Sequence, residues 1–138
     1  MTRRRTSIGL RLRNGPSATG ELRAALDRVA DECSIADEDR FDLKLAATEA
    51  VTNVLRGAPA HDVVDVTVAC RGAAVDIEVG PRGEPVPPRT AAAWASHAEG
   101  ARGIPIMIAL VDELEFTRTG AGTRVRMRKR VQPESRAA

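Results

Sequence analysis

The feature that most limits what this chain can fold into is an alternation of apolar and polar residues in several short stretches. Apolar side chains occupy every second position in residues 8–12, 64–68 and 75–79. Val125, Met127 and the aliphatic part of Lys129 continue the pattern near the end of the chain. Successive side chains of a β-strand point to opposite faces, so each stretch predicts a strand with one face in a core and the other in water.

Two segments after the first alternating stretch have helical spacing instead. Leu22, Leu26, Val29 and Cys33 recur at helical spacing after Ser17, which predicts a helix capped by that serine. A second helix is predicted to begin at Asp37 or Asp39 and to end near Arg56, before the helix-ending residues 57–59. One stripe of this second helix is expected to comprise Phe41, Leu45, Thr48, Thr52 and Leu55.

The second half of the chain adds a long connection, a short helix and two more strands. Residues 80–103 are rich in Gly and Pro, and so long a connection in a small domain is usually functional. A helix is predicted at residues 104–111, with Pro105 in its first turn, and Leu114 and Phe116 begin a strand. Neighbouring strands with helices between them predict an α+β fold. We expect a two-layer α/β sandwich, in which helices cover one face of a mixed, mostly antiparallel sheet.

The length and composition indicate one globular domain. The chain has 138 residues, of which 43% are hydrophobic and 29% charged. We predict a single domain over residues 1–132 and a disordered tail over residues 133–138. No run approaches the roughly 18 apolar residues of a membrane span, and no apolar segment follows the basic residues 3–5 as in a signal peptide. A cytoplasmic location without membrane contact is therefore expected.

Neither the charge nor the aromatic content favours nucleic-acid binding. The formal net charge is only +2, and aromatic residues make up 2% of the chain, so base-stacking platforms are not expected. The few aromatics also mean that the core must consist of Val, Leu, Ile and Ala. Arg124, Arg126, Arg128 and Arg130 alternate along the last predicted strand, which places them on its solvent face. No direct contact with nucleic acid is predicted.

The candidate functional residues lie on the second helix. Glu49 and Asn53 are four positions apart and therefore share one face of that helix. The small side chains of Ala46 and Ala50 leave space beside them. A carboxylate and an amide oxygen so placed can hold a hydrated Mg²⁺ ion and orient a water or hydroxyl group. When the pattern is considered alone, the same pair is more typical of a solvated helix surface.

Residues 46–53, Ala-Ala-Thr-Glu-Ala-Val-Thr-Asn, resemble the N-box of the GHKL ATPase superfamily. More closely, residues 8–131 resemble the anti-sigma-factor serine/threonine kinases of that superfamily, including the ending Gly-Thr-Arg-Val-Arg at residues 122–126. The resemblance implies an ATP-binding kinase fold with Mg-ATP as cofactor. It also implies partner switching between a sigma factor and an anti-sigma-factor antagonist, and the formation of a homodimer, which is common among members.

The resemblance also assigns roles to individual residues. Glu49 would be the general base that activates the acceptor hydroxyl, and Asn53 would bind Mg²⁺ and the nucleotide. Residues 100–103 match the G2 box, whose backbone N–H groups would face the phosphates. The nucleotide-binding residues that the resemblance implies are Asn53, Arg56, Gly83, Gly100, Arg102, Gly103 and Thr123.

Three positions depart from the family pattern. Pro81 stands where the G1 box has the aspartate that accepts the adenine amino hydrogen bond, and proline offers neither a side-chain acceptor nor an N–H. Gly57 replaces a usual His, and Ala101 replaces a usual Gly. Two interpretations follow: a protein serine/threonine kinase that binds ATP weakly, or a catalytically inactive protein-binding module that no longer binds ATP.

Overall fold

A computed structural model of the protein describes residues 6–57, 63–81, 88–90, 103–119 and 122–133. The tail predicted to be disordered lies outside these residues, apart from Pro133. Six strands and three helices occur in the described part of the chain. The strands are β1 (Thr6–Arg13), β2 (Val63–Arg71), β3 (Ala74–Gly80), β4 (Pro88–Thr90), β5 (Glu113–Thr119) and β6 (Gly122–Arg130). The helices are α1 (Ala18–Cys33), α2 (Asp37–Gly57) and α3 (Gly103–Leu110).

The strands form one sheet in the order β1-β2-β3-β6-β5-β4. Every pairing between described strands is antiparallel, so the sheet contains none of the parallel pairs that a mixed sheet would have there. Gly72, with a φ of 57°, forms the tight turn between β2 and β3, a backbone conformation that glycine adopts readily. The α+β class and the helices packed on one side of the sheet are confirmed.

The predicted alternation places the apolar side chains of the strands in the core. Val66, Ile77, Val79, Val125 and Met127 are all at most 1% exposed and face the helices. Phe116 on β5 is the largest of the fully buried side chains. The core is otherwise built from Val, Leu, Ile, Ala, Cys and Met, which agrees with the low aromatic content.

The arginines of β6 lie on the opposite, open face of the sheet. Arg128 makes two hydrogen bonds to the carboxylate of Asp76 on β3, at 2.6 and 3.2 Å. Arg124 donates from Nη1 to Glu78 at 3.0 Å. Arg124 and Arg128 are therefore each paired with an acidic residue of the neighbouring strand on this face.

The buried face of α2 differs from the predicted stripe. Phe41 is 66% exposed, and the hydroxyls of Thr48 and Thr52 donate to the carbonyls of Lys44 and Thr48, at 2.7 and 2.9 Å. The buried residues are instead Leu43, Ala46, Ala47, Ala50, Val51 and Val54. The residues of the predicted stripe do share one side of the helix, but the buried side is a different one, where small alanines allow the helix to lie close to the sheet. Ser17 also precedes α1 without a capping hydrogen bond from its side chain.

Ion pairs join α1 to α2 near their connecting turn. Lys44 Nζ lies 2.6 Å from Asp27 Oδ1, and Arg40 Nη1 lies 2.8 Å from Asp31 Oδ1. The hydrogen bond from Lys44 is the main reason that the pKa of Asp27 falls below its ordinary value, and the charges of Lys44 and Arg40 add to it, while desolvation opposes them. The Asp27 side chain is 39% exposed, so solvent screens the pair and limits its contribution to stability.

Asp27→Asn should lower the free energy of unfolding at pH 7 by about 0.5 kcal/mol, because it removes the carboxylate from a screened ion pair. A carboxyl group with a lowered pKa in the folded state stabilises the protein above its unfolded pKa, and the contribution is lost as pH falls through the folded value. The difference between variant and wild type should therefore shrink below about pH 4 and in 1 M salt. Urea unfolding measures it, with Glu32→Gln, an exposed change on the same helix, as control. A difference that is constant from pH 7 to pH 3 would contradict the assignment.

One contact fixes the direction of α2 over the sheet. Asp39, in the first turn of α2, accepts a hydrogen bond from the backbone N–H of Gln132, just beyond the end of β6, at 2.6 Å. Helix α2 packs on β3 and β6, so its C-terminal half lies over the other end of the sandwich. At that end β3 finishes and β6 begins.

No helix in the described part of the chain is long and apolar enough to cross a membrane.

Candidate functional site

The candidate site is centred on Glu49 and Asn53, in the C-terminal half of α2. Both side chains are half-buried, and they border the fully buried Ala46 and Ala50. The small alanines let α2 sit deep in the sandwich, so a polar residue at the edge of its buried face is shielded from water. Glu49 and Asn53 occupy that edge on one flank of the helix.

Asn53 has a buried polar atom with no partner. Its amide nitrogen Nδ2 is buried, and within the described residues no group accepts a hydrogen bond from it. Buried polar groups are nearly always hydrogen-bonded, so an orphaned amide indicates a missing ligand or water. The Oδ1 atom of the same amide is an oxygen ligand of the type that Mg²⁺ uses. Asn53 thus fits a bound Mg²⁺ ion with phosphate oxygens nearby.

The ends of β3 and β6 form the floor at this end of the sandwich. Val79 and Val125 are the last pair in their register, and Pro81 and Thr123 each lie two residues beyond it. Both are therefore on the helix-facing side of the sheet. Pro81 is buried, and Thr123 is 5% exposed. Pro81 and Thr123 therefore lie at one end of the sheet, and α2, which begins beside the opposite end of β6, runs towards it.

Arg124 holds the chain where it leaves β3. Its Nη2 atom lies 3.5 Å from the carbonyl oxygen of Pro81, while its Nη1 atom bonds Glu78. A Cβ atom at Gly80 would lie 3.1 to 3.3 Å from the Arg124 side chain, so a glycine gives that side chain its space. The sequence showed Arg124 only as part of a basic strand face. Its contact with Pro81 depends on the register between β3 and β6, which no local pattern reveals.

Helix α3 packs along α2 and closes the other side of the site. Lys129 Nζ donates to the carbonyl oxygen of Leu110, the last residue of α3, at 2.9 Å, and lies 3.5 Å from Asp42 of α2. The C-terminal end of α3 is therefore beside the beginning of α2. Gly103 begins α3 at its other end, and the first N–H groups of a helix, which have no partner within the helix, generally favour an anion.

The remaining predicted site residues are described only in part. Arg56 lies in the last turn of α2, and only its backbone is described. Gly83, Gly100 and Arg102 lie outside the described residues, as does Ala101. Among the described residues, the unpartnered amide nitrogen of Asn53 is the observation that fits a bound ligand. Pro81, where the sequence resemblance expects an adenine acceptor, has no acceptor side chain.

A separate cleft of about 300 Å³ lies on a different flank of α2. It opens between the start of α1 and the second half of α2, and its polar lining comes from Asn14, Thr19, Thr48 and Thr52. Among the described residues, no charged side chain lines the cleft, and neither Glu49 nor Asn53 contributes to it. It is therefore distinct from the candidate site.

An antiparallel sheet with helices on one face defines the class of fold as a two-layer α+β sandwich. The sequence pattern of the histidine kinase-like ATPase domain family matches residues 12–129, and the chain belongs to that family.

Among solved structures, the fold is similar to a crystal structure of the RsbU and RsbW domains of Rv1364c from Mycobacterium tuberculosis. The two share 22% sequence identity with a TM-score of 0.70, and the match covers 96% of this chain. The chain spans about a third, 35%, of that structure's length. A comparison with curated proteins gives no significant match.

Proposed function

We propose that this chain is an anti-sigma-factor-like regulatory domain that binds Mg-ATP weakly at the Glu49/Asn53 end of the sandwich. The observation that carries the proposal is the buried Nδ2 atom of Asn53, which has no hydrogen-bond partner among the described residues, one turn from the half-buried Glu49. A solvated helix surface would leave both groups in water, whereas a bound metal and phosphate would satisfy them.

Family membership and the fold support the regulatory part of the proposal. Members of the histidine kinase-like ATPase family bind nucleotide, and the similar crystal structure contains an RsbW domain. In this proposal, the partners of the present chain would be a sigma factor and an anti-sigma-factor antagonist, bound in alternation. The functional unit would be a homodimer in the cytoplasm. These partners are inferred from resemblance, since 22% identity establishes only the fold.

In this proposal each residue has a separate task. Asn53 would hold Mg²⁺ through Oδ1, and Glu49 would accept the proton of a serine hydroxyl on the antagonist. The N-terminus of α3 at Gly103 would face the phosphates, with Arg56, Gly100 and Arg102 nearby. Gly83 and Thr123 would border the adenine. Bound ATP supplies the phosphoryl group that is transferred.

Pro81 favours a second candidate function. It is buried where an adenine-reading carboxylate would be needed, so the fold could serve as a protein-binding module that holds its partner without nucleotide. The two candidates differ in whether Mg-ATP binds and in whether Glu49 matters. Both leave the protein a partner-binding regulator.

Calorimetric titration with Mg-ATP tests the proposal. The wild type should bind more weakly than about 1 μM, because adenine lacks its acceptor. Asn53→Ala should weaken binding about tenfold in Mg²⁺, the cost of one lost charge-assisted contact, and should change little in EDTA. Asn14 is an exposed asparagine before α1, away from the candidate site, and Asn14→Ala should bind Mg-ATP with the affinity of the wild type. If Asn53→Ala and wild type bind Mg-ATP with equal affinity, Asn53 does not take part in the binding site. If neither binds Mg-ATP, the second candidate function, a protein-binding module without nucleotide, is favoured.

A further inference from the structure

Helix α3 has little intrinsic stability, so the rest of the protein must hold it in place. It has eight residues, and isolated helices shorter than about 12 residues are marginal in water. The side chain of Met107, in this helix, is fully buried, but those of Ile106 and Ile108 are 37% and 49% exposed. No basic residue occurs in its last turn to interact with the negative end of its dipole.

A lysine from another element supplies what α3 lacks. Lys129, on β6, places its ammonium group 2.9 Å from the carbonyl oxygen of Leu110. The last carbonyls of a helix have no partner within the helix, and a cation there interacts favourably with the dipole. The next residues are also fixed to β6, since Asp112 N–H donates to the Arg128 carbonyl at 2.9 Å and Asp112 Oδ2 accepts from Arg130 N–H at 2.6 Å.

Lys129 is itself held in place by α2. Its Nζ atom lies 3.5 Å from Asp42 Oδ2 and 3.9 Å from Asp39 Oδ1, and its side chain is only 13% exposed. Asp39 is in turn fixed by Gln132 N–H at 2.6 Å. One ammonium group therefore links β6, the beginning of α2 and the C-terminal end of α3 in a largely buried position.

We infer that Lys129 is a positioning residue that holds α3 against α2 by its C-terminal end and so sets where its N-terminus at Gly103 lies relative to Glu49 and Asn53. The consequence for nucleotide rests on the proposed function, whereas the anchoring of α3 does not. Lys129 lies at the opposite end of α3 and touches no nucleotide. Its effect would be transmitted through the orientation of a single short helix.

Amide hydrogen exchange of the nucleotide-free protein tests the anchor. Lys129→Met keeps the aliphatic stem but loses the charge, and exchange of the α3 amides should become about fivefold to tenfold faster, with α1 unchanged. Lys129→Arg keeps the charge and the donors and should recover most of the protection. Arg126→Met removes a cation from the exposed face of the same strand and should have no effect. Unchanged exchange in α3, or an equal increase in every helix, would overturn the inference. If Lys129→Met does not fold, Lys129→Gln replaces it in the same comparison.

A second measurement tests the link to nucleotide. The ratio of Mg-ATP affinity to AMP affinity should fall about threefold to fivefold in Lys129→Met. The β- and γ-phosphates, which AMP lacks, are expected to interact most favourably with the α3 N-terminus. General damage to the fold would weaken both nucleotides equally, and that result would overturn the link. If the wild type binds no nucleotide, the proposed function fails, and the exchange result alone decides whether Lys129 anchors α3.

Discussion

Replacing Pro81 with aspartate should tighten the binding of Mg-ATP by about tenfold to a hundredfold. Pro81 is buried at the end of β3, on the same side of the sheet as Thr123, where an acceptor for the adenine amino group is expected. A buried hydrogen bond to a charged acceptor contributes about 1.5 to 3 kcal/mol, and each 1.4 kcal/mol corresponds to a tenfold change in affinity.

The same substitution should change which base is preferred. Without an acceptor at position 81, the wild type has no group there to distinguish the amino group of adenine from the carbonyl of guanine. Its affinities for ATP and GTP should therefore be similar. In Pro81→Asp, the carboxylate should attract the amino group and repel the carbonyl, so the ratio of ATP to GTP affinity should rise by at least the gain in ATP affinity.

Two variants separate the carboxylate from other effects of removing proline. Pro81→Ala removes the ring and restores the N–H, and Pro81→Asn adds a neutral acceptor. Affinity should rise in the order Ala, Asn, Asp. If Pro81→Ala gains as much as Pro81→Asp, the ring was blocking the site. If none of the three changes affinity, position 81 does not contact adenine.

Stability offers an independent check on the aspartate. A carboxylate at a buried position costs free energy unless it is hydrogen-bonded. Pro81→Asp should therefore melt at a lower temperature than wild type without nucleotide, and saturating Mg-ATP should raise its melting temperature more than that of wild type. The Arg124 contact involves only the carbonyl of residue 81 and is available to every variant.

The fold could be predicted from the sequence because its signals are local. Apolar residues identified five of the six described strands, and the register of β3 against β6 pairs Val79 with Val125, as residues of one apolar face. The short strand β4 was missed, because it lies within the Gly- and Pro-rich connection predicted for residues 80–103. The buried face of α2 could not be predicted in the same way. Its buried residues include three alanines, and hydrophobic spacing alone does not show that close packing against a sheet favours small side chains over Phe41.

Part of the site was predictable and part was not. Glu49 and Asn53 share a flank of α2 because of helical periodicity alone. Lys129 and Arg124 were missed as residues that hold α3 and the end of β3. Each acts on a backbone carbonyl that is 19 or 43 residues away in the chain, and such contacts exist only once the sheet and helices are assembled.

Glu49→Gln should separate catalysis from binding. Glutamine has nearly the same shape and can keep a hydrogen bond, but it cannot accept a proton. If Glu49 is the general base, transfer of the γ-phosphoryl group to an antagonist serine should fall by about 10² to 10⁴. Mg-ATP affinity should stay within about twofold of wild type, because Asn53, rather than Glu49, is expected to hold the metal.

The measurement is the transfer of radiolabel from ATP to the antagonist, with Glu38→Gln as matched control. Glu38 is an exposed residue in the first turn of the same helix, so that variant loses the same charge far from the site. If wild type and Glu49→Gln label the antagonist equally, Glu49 is not the base. If neither labels it while both form the complex on a sizing column, the chain acts by binding alone. Pro81→Asp then becomes decisive: if that variant labels the serine, only adenine binding had been lost, whereas tight ATP binding without labelling means that the Glu49 end is also inactive.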